Sequence, residues 1–140
     1  MPVVLMLHSI WRWVLLVAAV AALIKAFAAW QKPQAYGNLD RRLDMFYTMG
    51  IDIQVLLGLT LWFGERRFAT IIGAAAATGQ SPFFSIEHPA LMLLALGLAH
   101  VGYSRSRKGV GGNPHRTAAL FCLGSLIIII TAIPWDRLTR

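Results

Sequence analysis

Apolar residues in this chain fall into four long blocks separated by short polar stretches. The blocks predict helices over residues 4–29, 42–63, 86–103 and 115–133. A helix needs roughly 20 apolar residues to cross a hydrocarbon layer of about 30 Å, and the four blocks are near that length. Gln31-Lys32-Pro33-Gln34-Ala35-Tyr36-Gly37-Asn38 closes the first block and Gly64-Glu65-Arg66-Arg67 the second. Ser85 is the expected N-cap of the third, with Pro89 tolerated in its first turn. Residues 104–114, rich in Gly and basic side chains, form the third connection, and Pro134 stops the last helix. The second connection, residues 64–85, is the longest. Its apolar stretch 68–77 is too short to span and predicts an interfacial helical turn or two. The expected fold is all-α: an antiparallel four-helix transmembrane bundle, one membrane domain over residues 1–140, without internal repeats.

Composition strengthens that reading. Of 140 residues, 57% are hydrophobic and only 14% charged, too few charges to cover a soluble domain. The net charge of +7 does not point to nucleic acid, because the basic residues flank apolar blocks, where anionic headgroups lie. Lys32, Arg41 and Arg42 lie in or next to the first connection, with Lys25 just inside the helix. Arg105, Arg107, Lys108 and Arg116 cluster around the third. The second holds only Arg66 and Arg67, and the tail only Arg137 and Arg140. This bias places connections one and three in the cytoplasm, with both termini and connection two outside. Trp11, Trp13, Trp62 and Trp135 then form an aromatic belt at the outer interface. A bacterial cytoplasmic membrane is the simplest home. No basic residue precedes Arg12, so the first block does not read as a signal peptide. The single Cys122 cannot form an internal disulfide and reads as core packing.

Ionisable residues inside a membrane are costly and read as functional by default. Here these are His8, Arg12, Asp52, His88 and His100, with Gln54 a milder case. His8 and Arg12 are four residues apart and share a helix face. His8 and His88 each open a helix that enters from the same side, so both imidazoles fall at one depth. Helices one and three are diagonal in an antiparallel bundle with short connections, and two imidazoles meeting across its axis suit a metal such as iron. His88 shares its stripe with Met92, Ala95, Ala99 and Gly102, mostly small residues that leave room for a flat macrocycle or for close helix packing. Gly50, Gln54 and Gly58 make a similar ridge on helix two. Asp52, midway along helix two, is expected to be protonated or paired, with Arg12 as its partner; in the sharper reading Arg12 neutralises a haem propionate or a quinone oxygen and Asp52 orients it or relays a proton. His100 and His115, near the opposite end, raise the idea of a second haem, against which stand interfacial or loop-bonded histidines.

With these residues in view, the chain resembles the small haem-b membrane proteins that include the bacterial haem-containing protoporphyrinogen oxidases and the copper-resistance-D-like membrane domain. The resemblance runs through Leu7-His8-Ser9-Ile10-Trp11, through Arg41-Arg42 and Leu57-Gly58-Leu59-Thr60-Leu61-Trp62, through His88 and His100, and through His115-Arg116. It implies a b-type haem held at His8. The oxidase members carry a functional lysine two positions after the helix-three histidine, and here Ala90 stands there.

The expected function is therefore that of a haem b protein with His8 and His88 as iron ligands and Arg12 and Met92 beside the cofactor. It would trade electrons with a quinone or with a larger respiratory or photosynthetic membrane complex. The alternative is a cofactor-free structural or assembly subunit of such a complex. A small multidrug exporter would need a membrane-embedded glutamate in helix one, and copper handling a methionine cluster tighter than Met45, Met49 and Met92. No Gly-rich phosphate loop, HExxH or CxxC motif occurs.

Overall fold

The computed structural model describes residues 1–70 and 83–138. Its long helices are α1 (Pro2–Trp30), α2 (Asn38–Gly64), α3 (His88–Lys108) and α4 (Pro114–Ala132). A 3-10 turn (Arg67–Thr70) follows α2, a π-turn (Phe83–Glu87) leads into α3, and a four-residue α5 (Trp135–Leu138) ends the described chain. The expected interfacial turn within residues 68–77 lies largely outside the described residues. α1, α2, α4 and the π-turn with α3 are each long and apolar enough to cross a membrane.

The four helices form a bundle. α1 packs on α2, α2 on α3, α3 on α4, and α4 closes back on α1, so α1 and α3 lie on a diagonal. Three bonded pairs fix the register of α1 on α2. His8 meets Gln54, the Trp11 indole donates to the Gly50 carbonyl at 2.9 Å, and Lys25 reaches Asp40 at 2.7 Å. Many of the buried residues are small: Ala19, Ala22, Ala26, Ala95, Ala99, Ala118, Ala119 and Ala132, with Leu15 and Ile51 the largest fully buried apolar side chains. Large apolar side chains face outward instead, as at Val17, Ile24 and Leu56. A soluble monomer rarely leaves so much apolar surface open, whereas small buried residues let backbones approach closely in lipid. Gly102 marks one such approach, since a methyl added there would overlap Phe121 Cβ.

Helix ends differ from expectation for identifiable reasons. α2 begins at Asn38 rather than residue 42, because the Asp40 carboxylate accepts the Gly37 N–H at 2.9 Å. α3 runs on to Lys108. Arg105, Arg107 and Lys108 fill its last turn, where cations suit the helix dipole, and Gly109 at φ 65° makes the left-handed cap that glycine adopts freely. Ser85 does not cap α3. It lies buried in the π-turn, and its carbonyl accepts the Trp62 indole N–H at 2.9 Å. Asn113 caps α4 by accepting the His115 and Arg116 backbone N–H groups.

Candidate functional site

His8 and His88 come together across the α1–α3 diagonal, with ring centres 6.3 Å apart and planes at 66°. Each ring is held by a different device. On the α1 side, Gln54 donates to the His8 carbonyl at 3.2 Å, and its amide nitrogen lies 3.3 Å from His8 Nε2. Gly58, one turn further along α2, gives the imidazole room: a Cβ there would sit 3.3 Å from His8 Cε1. On the α3 side, His88 Nδ1–H donates to the Ala132 carbonyl at 2.8 Å. That carbonyl is available because α4 stops at Ala132, and the last carbonyls of a helix lack intrahelical partners. Pro134 has no N–H to extend the ladder; the Ile130 carbonyl instead accepts the Ile133 N–H and, at 3.0 Å, the Trp135 indole. A histidine that donates one ring nitrogen to a carbonyl presents the other as a lone pair, the arrangement common to metal-ligating imidazoles.

A cavity of about 390 Å³ opens beside the two rings, bounded by all four long helices and the π-turn. That volume is in the range of small-molecule and cofactor sites. Its walls are mainly apolar, with Leu5, Leu15, Val55, Met92 and Ile129 among them, and Arg12 and Arg67 supply positive charge. Phe83 and Phe84 stack within about 6 Å of the His88 ring, at 5.9 and 6.0 Å. The Arg67 guanidinium pairs with Glu65 and lies 5.1 Å over the Phe84 ring. Five buried side-chain polar atoms among the described residues have no hydrogen-bond partner, and three of them are here: His8 Nδ1, Arg12 Nε and Gln54 Oε1. Orphaned buried polar atoms are costly and call for an explanation, and their concentration at one cavity points to a polar ligand that would satisfy them.

The residues fit a haem. Two imidazole nitrogens each about 2 Å from one metal place their ring centres roughly 6–6.5 Å apart, and the rings here stand at 6.3 Å. Two histidines suffice for such a centre. The described residues contain no group of three or more His, Cys, Asp or Glu that would hold a bare metal ion.

Of the sequence candidates, His8, Arg12, His88 and Met92 all line this cavity. Asp52 does not, and Arg12 is not its partner. Asp52 Oδ1 bonds His100 Nε2 at 2.7 Å on the outer seam of α2 and α3, with the side chains 40% and 51% exposed. Asp52 is two residues from Gln54, a turn of about 200°, so the two cannot share a face. His115 is also separate. It is 1% exposed at the far end of the bundle, donating from Nε2 to the Gln34 carbonyl at 3.1 Å, so the structure does not pair it with His100.

Two groups of residues escaped the sequence reading. Gln54 reads from the sequence as a mild functional candidate and as part of a ridge, but not as the bracket that holds His8. At the far end, Lys25 pairs with Asp40, Tyr36 donates to Asp44 at 2.6 Å, and the Tyr36 ring lies 5.7 Å from that of His115. Burial, then the bond to Asp44, pushes the Tyr36 phenol well above its ordinary pKa. The available signals were Asp40 three residues after Gly37, and Lys25 and Asp40 at facing ends of helices joined by a short connection.

No known family matches this chain, and no curated protein or solved structure does either.

Proposed function

We propose that the chain crosses a bacterial cytoplasmic membrane four times as an antiparallel bundle, both termini outside, and holds a b-type haem between His8 and His88 for electron transfer with a quinone or a membrane redox complex. The observation that carries this reading is the spacing of two imidazoles that line one cavity, one of them oriented by the Ala132 carbonyl. The outward belt of large apolar side chains and the basic residues at connections one and three support the membrane placement.

The chain's own groups have defined tasks. His8 and His88 would ligate the iron as neutral imidazoles. Gln54 and the Ala132 carbonyl fix their rings. Arg12, with its free Nε, would balance an anionic edge of the cofactor or a quinone oxygen. Met92, Leu15 and the two phenylalanines keep water out. A bound haem supplies reversible one-electron chemistry, with a potential set by its two nitrogen ligands and the dryness of the walls.

The test is an absorption spectrum of protein purified from haem-sufficient cells, oxidised and then reduced. A b-type reduced spectrum in the wild type, absent in both His8→Ala and His88→Ala, supports the assignment. A colourless wild type that co-purifies with large membrane partners, and tolerates both substitutions, supports the cofactor-free subunit instead.

A further inference from the structure

The Asp52–His100 bond serves neither the cavity nor the connections, and its position is unusual. Asp52 stands at the middle of the 27-residue α2, and the pair faces outward with 40% and 51% of its side-chain surface open. Resting on the membrane placement proposed above, that puts an acid and an imidazole against hydrocarbon near mid-depth, where polar groups are expensive unless they are covered or paired. Their mutual bond uses only Asp52 Oδ1 and His100 Nε2. Asp52 Oδ2 and His100 Nδ1 make no other hydrogen bond among the described residues, so the patch retains one acceptor and one ring nitrogen that donates when protonated.

We propose that this seam is the contact between two copies of the chain. An acceptor and a donor side by side are self-complementary under two-fold rotation, the commonest symmetry of homo-oligomers. His100 Nδ1 of each copy then donates to Asp52 Oδ2 of the other, so two internal bonds become a closed ring of four. The surroundings admit a close neighbour. A Cβ added at Gly97, one turn before His100, would meet nothing within 4 Å, and Met49, Ile53 and Leu56 extend an exposed apolar flank along α2. Polar side chains bonding across helices are a recognised source of association in lipid.

The experiment uses full-length protein in phosphatidylethanolamine/phosphatidylglycerol vesicles, labelled for energy transfer and diluted over a wide protein-to-lipid range. Wild type is expected to dimerise, and an Ile53→Cys variant to cross-link to itself under oxidation while buried Cys122 stays unreactive. Asp52→Leu/His100→Leu presents an ordinary lipid-facing surface, so folding should hold, checked by helix content and thermal stability. Its dimer affinity should fall at least tenfold, about 1.4 kcal/mol. A wild type that stays monomeric throughout the range, or a double-leucine variant that dimerises as well as wild type, overturns the proposal. The readout does not involve the cavity: a colourless protein that dimerises keeps this contact and loses only the haem, and a protein absent from the membrane fraction removes both.

Discussion

At one end of the bundle, His115 packs against Tyr36 and bonds the Gln34 carbonyl, among Lys25–Asp40 and Tyr36–Asp44 pairs that fill the space between α1, α2 and α4. At the other, His8 and His88 face each other beside a cavity of about 390 Å³, with orphaned atoms on His8, Arg12 and Gln54. Both ends bury histidine and basic side chains in a sequence poor in charge. What differs is how those groups are partnered. The far end ties most of its polar groups to each other or to the Gln34 carbonyl, with only His115 Nδ1 lacking a hydrogen bond among the groups just named, and thereby fixes the first connection to the bundle. The near end holds its groups in place through backbone carbonyls and one amide, and leaves their chemistry free.

Substitutions at the two ends should therefore separate ligand binding from stability. The largest contrast is His88→Ala against His115→Ala. The first should abolish cofactor absorbance altogether while the helices persist. The second should leave absorbance intact but cost about 2–4 kcal/mol, since it opens a hole and strands the Gln34 carbonyl; absorbance and an unfolding titration of the same preparations read both. Next, Asp40→Ala removes the partner of Lys25 and the acceptor for the Gly37 N–H, and should lower stability by about 2 kcal/mol, again with unchanged absorbance. If His115→Ala or Asp40→Ala bleaches the protein, the two ends are not independent. Gly58→Ala, which crowds the His8 ring, should weaken cofactor affinity about tenfold with a stability change under about 1 kcal/mol; supporting residues around metal ligands have effects of this order. The smallest effect concerns Tyr36. Its raised phenol pKa means the fold holds that proton more tightly than the unfolded chain. The stabilisation is thus complete below about pH 10 and fades as pH rises beyond it. Tyr36→Phe should show a shallower alkaline loss of stability than wild type.

Much of this was legible in the sequence. Four apolar blocks announce four helices, because hydropathy over some twenty residues is a strong signal. The meeting of His8 and His88 followed from depth and diagonal placement. Pairings between helices were harder. Asp52 was matched to Arg12 by depth alone, whereas partner choice depends on which face of α2 each residue occupies, and Asp52 points to the seam with α3. The brackets around the histidines were invisible for another reason: they are backbone carbonyls and a space at Gly58, set by where α4 ends and how closely α1 and α2 approach. Likewise Arg105 to Lys108 read as a loop because they are charged, although charge in a final helical turn favours the helix.

The close contact at Gly102 also bears on the electron transfer proposed above. With α3 pressed onto Phe121 there, and Ala95 and Ala99 buried between it and the cavity, the described lower half of the bundle is packed solid. From His88 to Lys108 the helix continues for about 30 Å, and among the described residues the space at the far end, beside Tyr36 and His115, holds no room for a relay group. If the proposed haem and membrane placement hold, donor and acceptor would reach it in turn at the one end of the bundle where the cavity opens.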